Sequence, residues 1–181
     1  MYDGYVIGFG SARNFNFREC VYQSARQTRP PPVGLAMTQI ITPDRLIQIA
    51  WQMPLKICEL RKELMPDDFL HRCTELAEKA GIAVFQINFN DYSGAVEALS
   101  ATENQDFVSA VETPSGRTLL IFENADCLAS LDCNITYSLR SILTTNLNGN
   151  TVSLFHATST AITQLFHHRD AAFYHSAFEI C

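Results

Sequence analysis

The sequence has little positive charge, no long apolar run and no closely paired cysteines. A formal net charge of −6 and a pI near 5.3 argue against binding nucleic acid by bulk electrostatics. No stretch approaches about 18 uninterrupted apolar residues, and no basic and apolar leader is seen, so we expect a cytoplasmic protein that does not enter a membrane. The six cysteines include no Cys-x-x-Cys pair, which indicates reduced, mostly buried thiols.

The chain also lacks the adjacent glycine and lysine of a standard phosphate-binding loop. In the pattern Gly-x-x-x-x-Gly-Lys-Ser/Thr, successive backbone N–H groups wrap the phosphates of a nucleotide and the lysine neutralises them. None of the 8 glycines is followed by lysine. The conventional way of holding a nucleoside triphosphate is therefore excluded.

The remaining composition is that of a folded domain. With 181 residues and 47% hydrophobic content, the chain can bury one substantial core. Three prolines at 30–32 mark a stiff boundary, so we predict an amino-terminal arm over 1–32 and one domain over 33–181. Alternating strands and helices predict a three-layer α/β/α fold around a mainly parallel sheet. Predicted strands cover 5–9, 33–41, 82–89, 118–122, 152–156 and 172–180; predicted helices cover 46–64 (bent or interrupted at Pro54), 67–80, 93–101, 104–111, 135–145 and 161–166.

The segment from Arg117 to Asp126 is the most informative, because a short apolar strand is followed at once by Glu123, Asn124 and Asp126. In an open α/β sheet, ligands bind at the carboxyl ends of the strands. Carboxylates at this end can hold a metal ion, whereas the amide of Asn124 can hydrogen-bond but cannot act as a base.

Four segments, in this order, resemble parts of the AAA and STAND branches of the P-loop NTPases. Residues 118–126 resemble the Walker B strand, in which Asp-Glu stands where this chain has Glu-Asn; residues 138–145 resemble the helix that follows. Residues 152–159 resemble the sensor-1 strand, and 165–180 the short helix and closing strand. The resemblance covers roughly the carboxyl-terminal hundred residues and implies a RecA/AAA-like core.

The same resemblance implies roles for individual side chains. Glu123 would hold Mg²⁺ if nucleotide binds, with Asn124 and Asp126 completing the Walker B position. Thr158 and Ser159 would stand beside the γ-phosphate as sensor residues. Arg169 would face the nucleotide of a neighbouring subunit, although an ion pair with Asp170 or Glu179 explains it equally well.

The upstream half departs from this family. If 33–41 is the first core strand, the turn from Thr42 to Asp44 stands where the phosphate loop would be, and its proline removes a donor while its aspartate repels phosphate. The same turn begins a helix, with Thr42 as its cap. A second candidate cradle contains Gly8, Gly10, Ser11 and Arg13, although a simple glycine turn explains it equally well.

Three further groups of residues have side chains suited to a metal site, to nucleophilic catalysis or to partner binding. The histidines at 167, 168 and 175 lack a carboxylate or cysteine at a recognisable ligand spacing, which favours a polar helix end over a metal site. Cys127 and His156 could form a nucleophile and base, but buried packing is the better interpretation. Arg13, Arg18 and Arg26 lie among aromatic residues, a patch suited to nucleic acid or a protein partner.

The hypothesis is a degenerate ATPase-like domain that needs no cofactor and acts as a regulatory module, through an interface with an intact ATPase or with itself as a homo-oligomer. One competing hypothesis is an active Mg-dependent ATPase with its cradle at 8–13. Another is a DNA-associated accessory protein. The hypothesis requires that strands 118–122 and 152–156 be parallel neighbours.

Overall fold

The computed structural model of the chain describes residues 41–53, 56–130, 134–145 and 150–179. All of them belong to one unit, Thr38–Cys181. Several predicted features lie outside the described residues: the strand at 5–9, nearly all of the strand at 33–41, the cradle at Gly8, Gly10, Ser11 and Arg13, and the basic patch at Arg13, Arg18 and Arg26. The strands are β1 Ile57–Arg61, β2 Ala83–Asn88, β3 Thr118–Glu123, β4 Thr151–Ala157 and β5 Phe178–Glu179; the α-helices are α1 Pro43–Ile49, α2 Phe69–Lys79, α3 Ala95–Ser100, α4 Gln105–Glu112, α5 Asn134–Thr145 and α6 Ser159–Ile162.

The five strands form one parallel sheet in the order β2-β3-β4-β1-β5. Strands β3 and β4 are direct neighbours, with Thr118 opposite Thr151 and Glu123 opposite His156. The expectation that these two segments are adjacent and parallel is confirmed. Both strands are buried along almost their whole length, as central strands of a parallel sheet are when helices cover both faces.

Two separate apolar clusters lie on the two faces of the sheet. One contains Leu46 of α1 and Phe69 of α2; the other contains residues of α3 to α6 packed around Phe122 and Phe155. The rings of Phe122 and Phe155 stack with centroids 4.3 Å apart, one on each central strand. The predicted α/β fold, with helices on both faces of a parallel sheet, is therefore confirmed.

The path of the chain creates a crevice at the carboxyl end of the sheet. From β1 the chain crosses to β2 at the far edge, whereas from β4 it crosses in the opposite direction to β5. The connections diverge between β1 and β4, which is the position where open α/β sheets bind ligands. The loop after β1 and the ends of β3 and β4 meet there.

The predicted helix over 46–64, bent or interrupted at Pro54, is correct only as far as Gln52, and its second half is wrong. Helix α1 ends at Ile49, a 3-10 turn follows over Ala50–Gln52, and residues 57–61 form β1. Apolar residues at 57, 58 and 60 fit helical spacing, but β1 is buried on both faces and so shows no strand-like alternation. Within the described residues, the loop after the first strand therefore covers 62–68.

The predicted cap of the first helix is present. Thr42 caps α1, and its Oγ1 accepts a hydrogen bond from Arg45 N at 3.3 Å.

The predicted strand over 172–180 is also largely wrong, since only Phe178–Glu179 pairs with β1. Residues 171–177 form turns, with Ser176 N donating to Phe173 O at 2.8 Å. Phe173 is fully buried, so its apolar character serves packing in a turn and not strand alternation. The predicted helix over 161–166 begins earlier, as α6, and continues as a π-helical turn over Thr163–His167.

The described helices are all too short or too polar to cross a bilayer.

Candidate functional site

A pocket of about 360 Å³ opens at the carboxyl end of the sheet. Its walls come from the 62–68 loop, the first turns of α2, and the ends of β2, β3 and β4. The polar side chains that line it are Lys62, Asp67, His71, Thr74, Gln86, Glu123, Asn124 and His156. The predicted Walker B-like residues Glu123 and Asn124 thus line the one crevice that the chain topology favours.

Asn124 is the centre of this polar group. Its backbone is left-handed, with φ 51° and ψ 44°, a conformation that asparagine tolerates better than most residues. Its Oδ1 accepts from Lys62 Nζ at 2.9 Å, and its Nδ2 donates to Asn88 Oδ1 at 2.8 Å. One buried amide therefore joins the loop after β1 to the ends of β2 and β3.

Glu123 ends β3 and carries a half-buried carboxylate into the pocket. Its Oε2 accepts from Gln86 Nε2 at 2.6 Å. A neutral amide is thus its hydrogen-bonding partner on the neighbouring strand. Glu123 and Asp67 are the two carboxylates among the residues that line this pocket.

The predicted sensor residues are bonded to carboxylates of the chain itself. Thr158 donates to Asp126 Oδ1 from its backbone N at 3.2 Å and also from its hydroxyl. Ser159 donates to the Glu63 carboxylate from its backbone N at 3.0 Å and from Oγ at 2.8 Å. Hydrogen bonds from the backbone of Glu63 and from Ser159 lower the pKa of the Glu63 carboxyl. The start of α6, where an anion would otherwise find free N–H groups, is thus occupied by Glu63.

His156, at the end of β4, lines the same pocket and is only 9% exposed. Burial lowers the pKa of its imidazole, which is therefore neutral near pH 7; the nearby Glu123 carboxylate raises that pKa and Lys62 lowers it. Its Nδ1 is sealed from solvent and has no hydrogen-bond partner within the described part of the chain. Leaving a buried N–H donor unpaired costs more free energy than leaving a ring nitrogen acceptor unpaired, so we assign the ring proton of His156 to Nε2.

Thr74 on α2 has the same property, since its Oγ1 is buried and has no partner among the described residues. It lines the pocket together with His156. Buried polar atoms are nearly always paired. The Nδ1 of His156 and the Oγ1 of Thr74 are exceptions to this rule within the described residues.

The predicted residue Arg169 does not join the pocket. It is exposed in the turn that follows the π-helical segment and forms no ion pair within the described residues. Glu179, one of its two predicted partners, instead accepts from Arg61 Nη2 at 2.7 Å. The other five predicted residues, Glu123, Asn124, Asp126, Thr158 and Ser159, do gather at the carboxyl ends of β3 and β4.

Sequence reasoning missed four residues of this network: Lys62, Glu63, Gln86 and Asn88. The first two were assigned to a long helix, so they were not expected at the end of a strand. The last two belong to the correctly predicted strand β2, and its position beside β3 would have identified them. Cys127, weighed as a nucleophile beside His156, packs against the core beneath α3 to α6.

No model of a known protein family matches the chain, and a search of curated proteins also found no match.

Replacing Asn124 separates the contribution of its side chain from that of its backbone conformation. Asn124→Gly keeps the left-handed backbone but removes both hydrogen bonds, and should lower the free energy of unfolding by about 1–3 kcal/mol. Asn124→Ala should cost about 1–2 kcal/mol more, because alanine is strained in this conformation. Urea denaturation measures both values; equal losses in the two variants would contradict the left-handed geometry.

His156 should make stability depend on pH. Because its pKa is lowered in the folded chain, the unfolded chain binds a proton more readily there. The free energy of unfolding should therefore decrease as the pH falls from about 7.5 to about 5.5, through the ordinary imidazole range. His156→Gln should reduce that decrease relative to the unchanged chain, as measured by urea denaturation across this range. An identical slope in the two proteins would show that His156 does not titrate differently on folding.

Proposed function

We propose that the chain is an NTPase-like α/β module that does not hold nucleoside triphosphate and that acts as a regulatory, protein-binding domain. The proposal rests on where the resembling segments meet. The Walker B-like strand β3 and the sensor-1-like strand β4 are neighbours, and the pocket at their carboxyl ends is closed by a loop that joins a strand to a helix. P-loop proteins build their phosphate site from this strand-loop-helix unit.

The observation that carries the proposal is how the 62–68 loop is held. It has no glycine, and Pro66 within it has no backbone N–H to offer a phosphate. Lys62, the one cation in the loop, is bonded to Asn124. Glu63 occupies the start of α6 through Ser159. The lysine of this loop and the N–H at the start of α6 are thus already hydrogen-bonded within the chain.

Charge and chemistry in the pocket agree with this. The carboxylates of Asp67 and Glu123 line it, against the single ammonium group of Lys62, so a triphosphate would meet net repulsion. Asn124 stands where the resembling family has the residue that orients the attacking water, and its amide is already bonded on both sides. Hydrolysis has no base at that position.

A surface for a protein partner lies between α4 and α5. An apolar groove of about 150 Å³ is lined there by Leu99, Val108, Val111, Ile135 and Ile142. Apolar side chains grouped at the surface are typical of protein-protein contacts. The partner class that fits a degenerate ATPase-like module is an intact ATPase or a second copy of this chain.

Thermal unfolding with and without Mg-ATP tests the proposal. We expect no change in melting temperature at millimolar nucleotide, because the 62–68 loop has no glycine and its lysine is bonded to Asn124. True binding would stabilise the fold by about 2.7 kcal/mol at a hundredfold excess over Kd. Glu123→Gln is the matched variant: a stabilisation seen in the unchanged chain and lost in this variant would overturn the proposal in favour of an active Mg-dependent ATPase.

A further inference from the structure

A second polar cluster lies at the β1–β5 edge of the sheet, apart from the pocket. Glu59 of β1 and Glu179 of β5 are opposite each other in the register of the two strands. His167 ends the π-helical turn after α6 and reaches the same position. The imidazole and carboxylate atoms that these three side chains offer all lie within 4.8 Å of one another.

The cluster is closed on its inner side and open on its outer side. Glu59 is only 2% exposed, whereas the side chains of His167 and Glu179 are 41% and 45% exposed. His167 Nε2 lies 2.8 Å from Glu59 Oε2, and Arg61 Nη2 lies 2.7 Å from Glu179 Oε1. A small ion could therefore reach the buried carboxylate from solvent without any rearrangement of the sheet.

The charges in this cluster call for a cation. It contains two carboxylates, and the one permanent cation that the described residues place against them is Arg61, which is bonded to Glu179. Burial raises the pKa of the Glu59 carboxyl, and the hydrogen bond and charge of His167 and the charge of Arg61 lower it. The buried Glu59 carboxylate has the His167 imidazole as its hydrogen-bonding partner. A metal ion at His167 Nε2 and Glu59 Oε2 would place a permanent positive charge beside that carboxylate.

We propose that Glu59, His167 and Glu179 bind a divalent transition-metal ion, with Zn²⁺ as the best chemical fit. One imidazole nitrogen and two carboxylate oxygens are a ligand set that zinc accepts, and water can complete the coordination on the open side. The ion takes the place of the proton between His167 and Glu59. Arg61 stays bonded to Glu179 as an outer partner that orients this ligand.

The site has a structural consequence, because its ligands come from three elements. Strand β5 has only two residues, Phe178–Glu179, paired with β1. A metal ion would join β5, β1 and the π-helical turn that follows α6. Binding should therefore stabilise the folded chain as well as occupy the site.

Isothermal titration of the chelator-treated full chain with Zn²⁺ tests the proposal. We expect a site whose affinity falls at least about tenfold in Glu59→Gln, His167→Gln and Glu179→Gln. The matched control is His71→Gln, which removes another histidine paired with a carboxylate, at 3.4 Å from Glu75 but without a third ligand. That variant should bind as the unchanged chain does. Affinity should also fall with falling pH, because protons compete for the same atoms.

Absorption spectra with Co²⁺ and melting temperatures with Zn²⁺ test which residues bind the metal. Co²⁺ in place of Zn²⁺ gives visible ligand-field bands, and the absence of thiolate charge-transfer absorption excludes binding by the cysteines. If Glu59→Gln does not fold, the two variants at exposed positions decide. Zinc should raise the melting temperature of the unchanged chain and not that of Glu179→Gln. Equal affinity in all variants, or no binding, would overturn the proposal.

Discussion

The hydrogen-bonded side chain of Asn124 is the interaction on which the carboxyl end of this sheet depends. Parallel strands expose polar side chains and backbone groups at that end, and each of them needs a partner once it is buried. In this chain the amide of Asn124 pairs with Lys62 on one side and with Asn88 on the other. Three elements are thereby fixed relative to one another without a ligand.

The polar groups beside Asn124 are also engaged within the chain. Lys62 is bonded to Asn124, and the Glu63 carboxylate accepts from the Ser159 N–H at the start of α6. The pocket also contains His156 and Thr74, each with a buried atom that has no hydrogen-bond partner among the described residues.

Several carboxylates at this end of the sheet are likewise bonded to other residues of the chain. Glu63 and Asp126 bond to the residues that follow β4, and Glu179 bonds to Arg61. Glu59 differs because it is buried and has the imidazole of His167 as its hydrogen-bonding partner.

Much of the fold could be predicted from the sequence, and the limits have physical causes. Strands β2 to β4 and helix α2 were predicted because turn residues or a helix stop bound each of them. Strand β1 was missed because burial on both faces removes alternation, and its apolar residues happen to match helical spacing.

The candidate site was predicted only in part, because its residues depend on where strands end. Strands β3 and β4 were predicted, so the residues at and after their ends, Glu123, Asn124 and Thr158, were predicted as well. Lys62 depended on the missed strand. The contact between Glu59 and His167 joins residues 108 positions apart in the sequence, and a local sequence pattern cannot predict such a contact. Only the sheet order brings them together.

Amide hydrogen exchange at Ser159 tests the central claim most directly. Amides in the first turn of a helix normally lack a partner and exchange quickly, but that of Ser159 donates to Glu63. The account predicts slow exchange there in the unchanged chain, fast exchange in Glu63→Ala, and no change on adding millimolar Mg-ATP. Fast exchange in the unchanged chain, or new protection of the 62–68 amides with Mg-ATP, would contradict it.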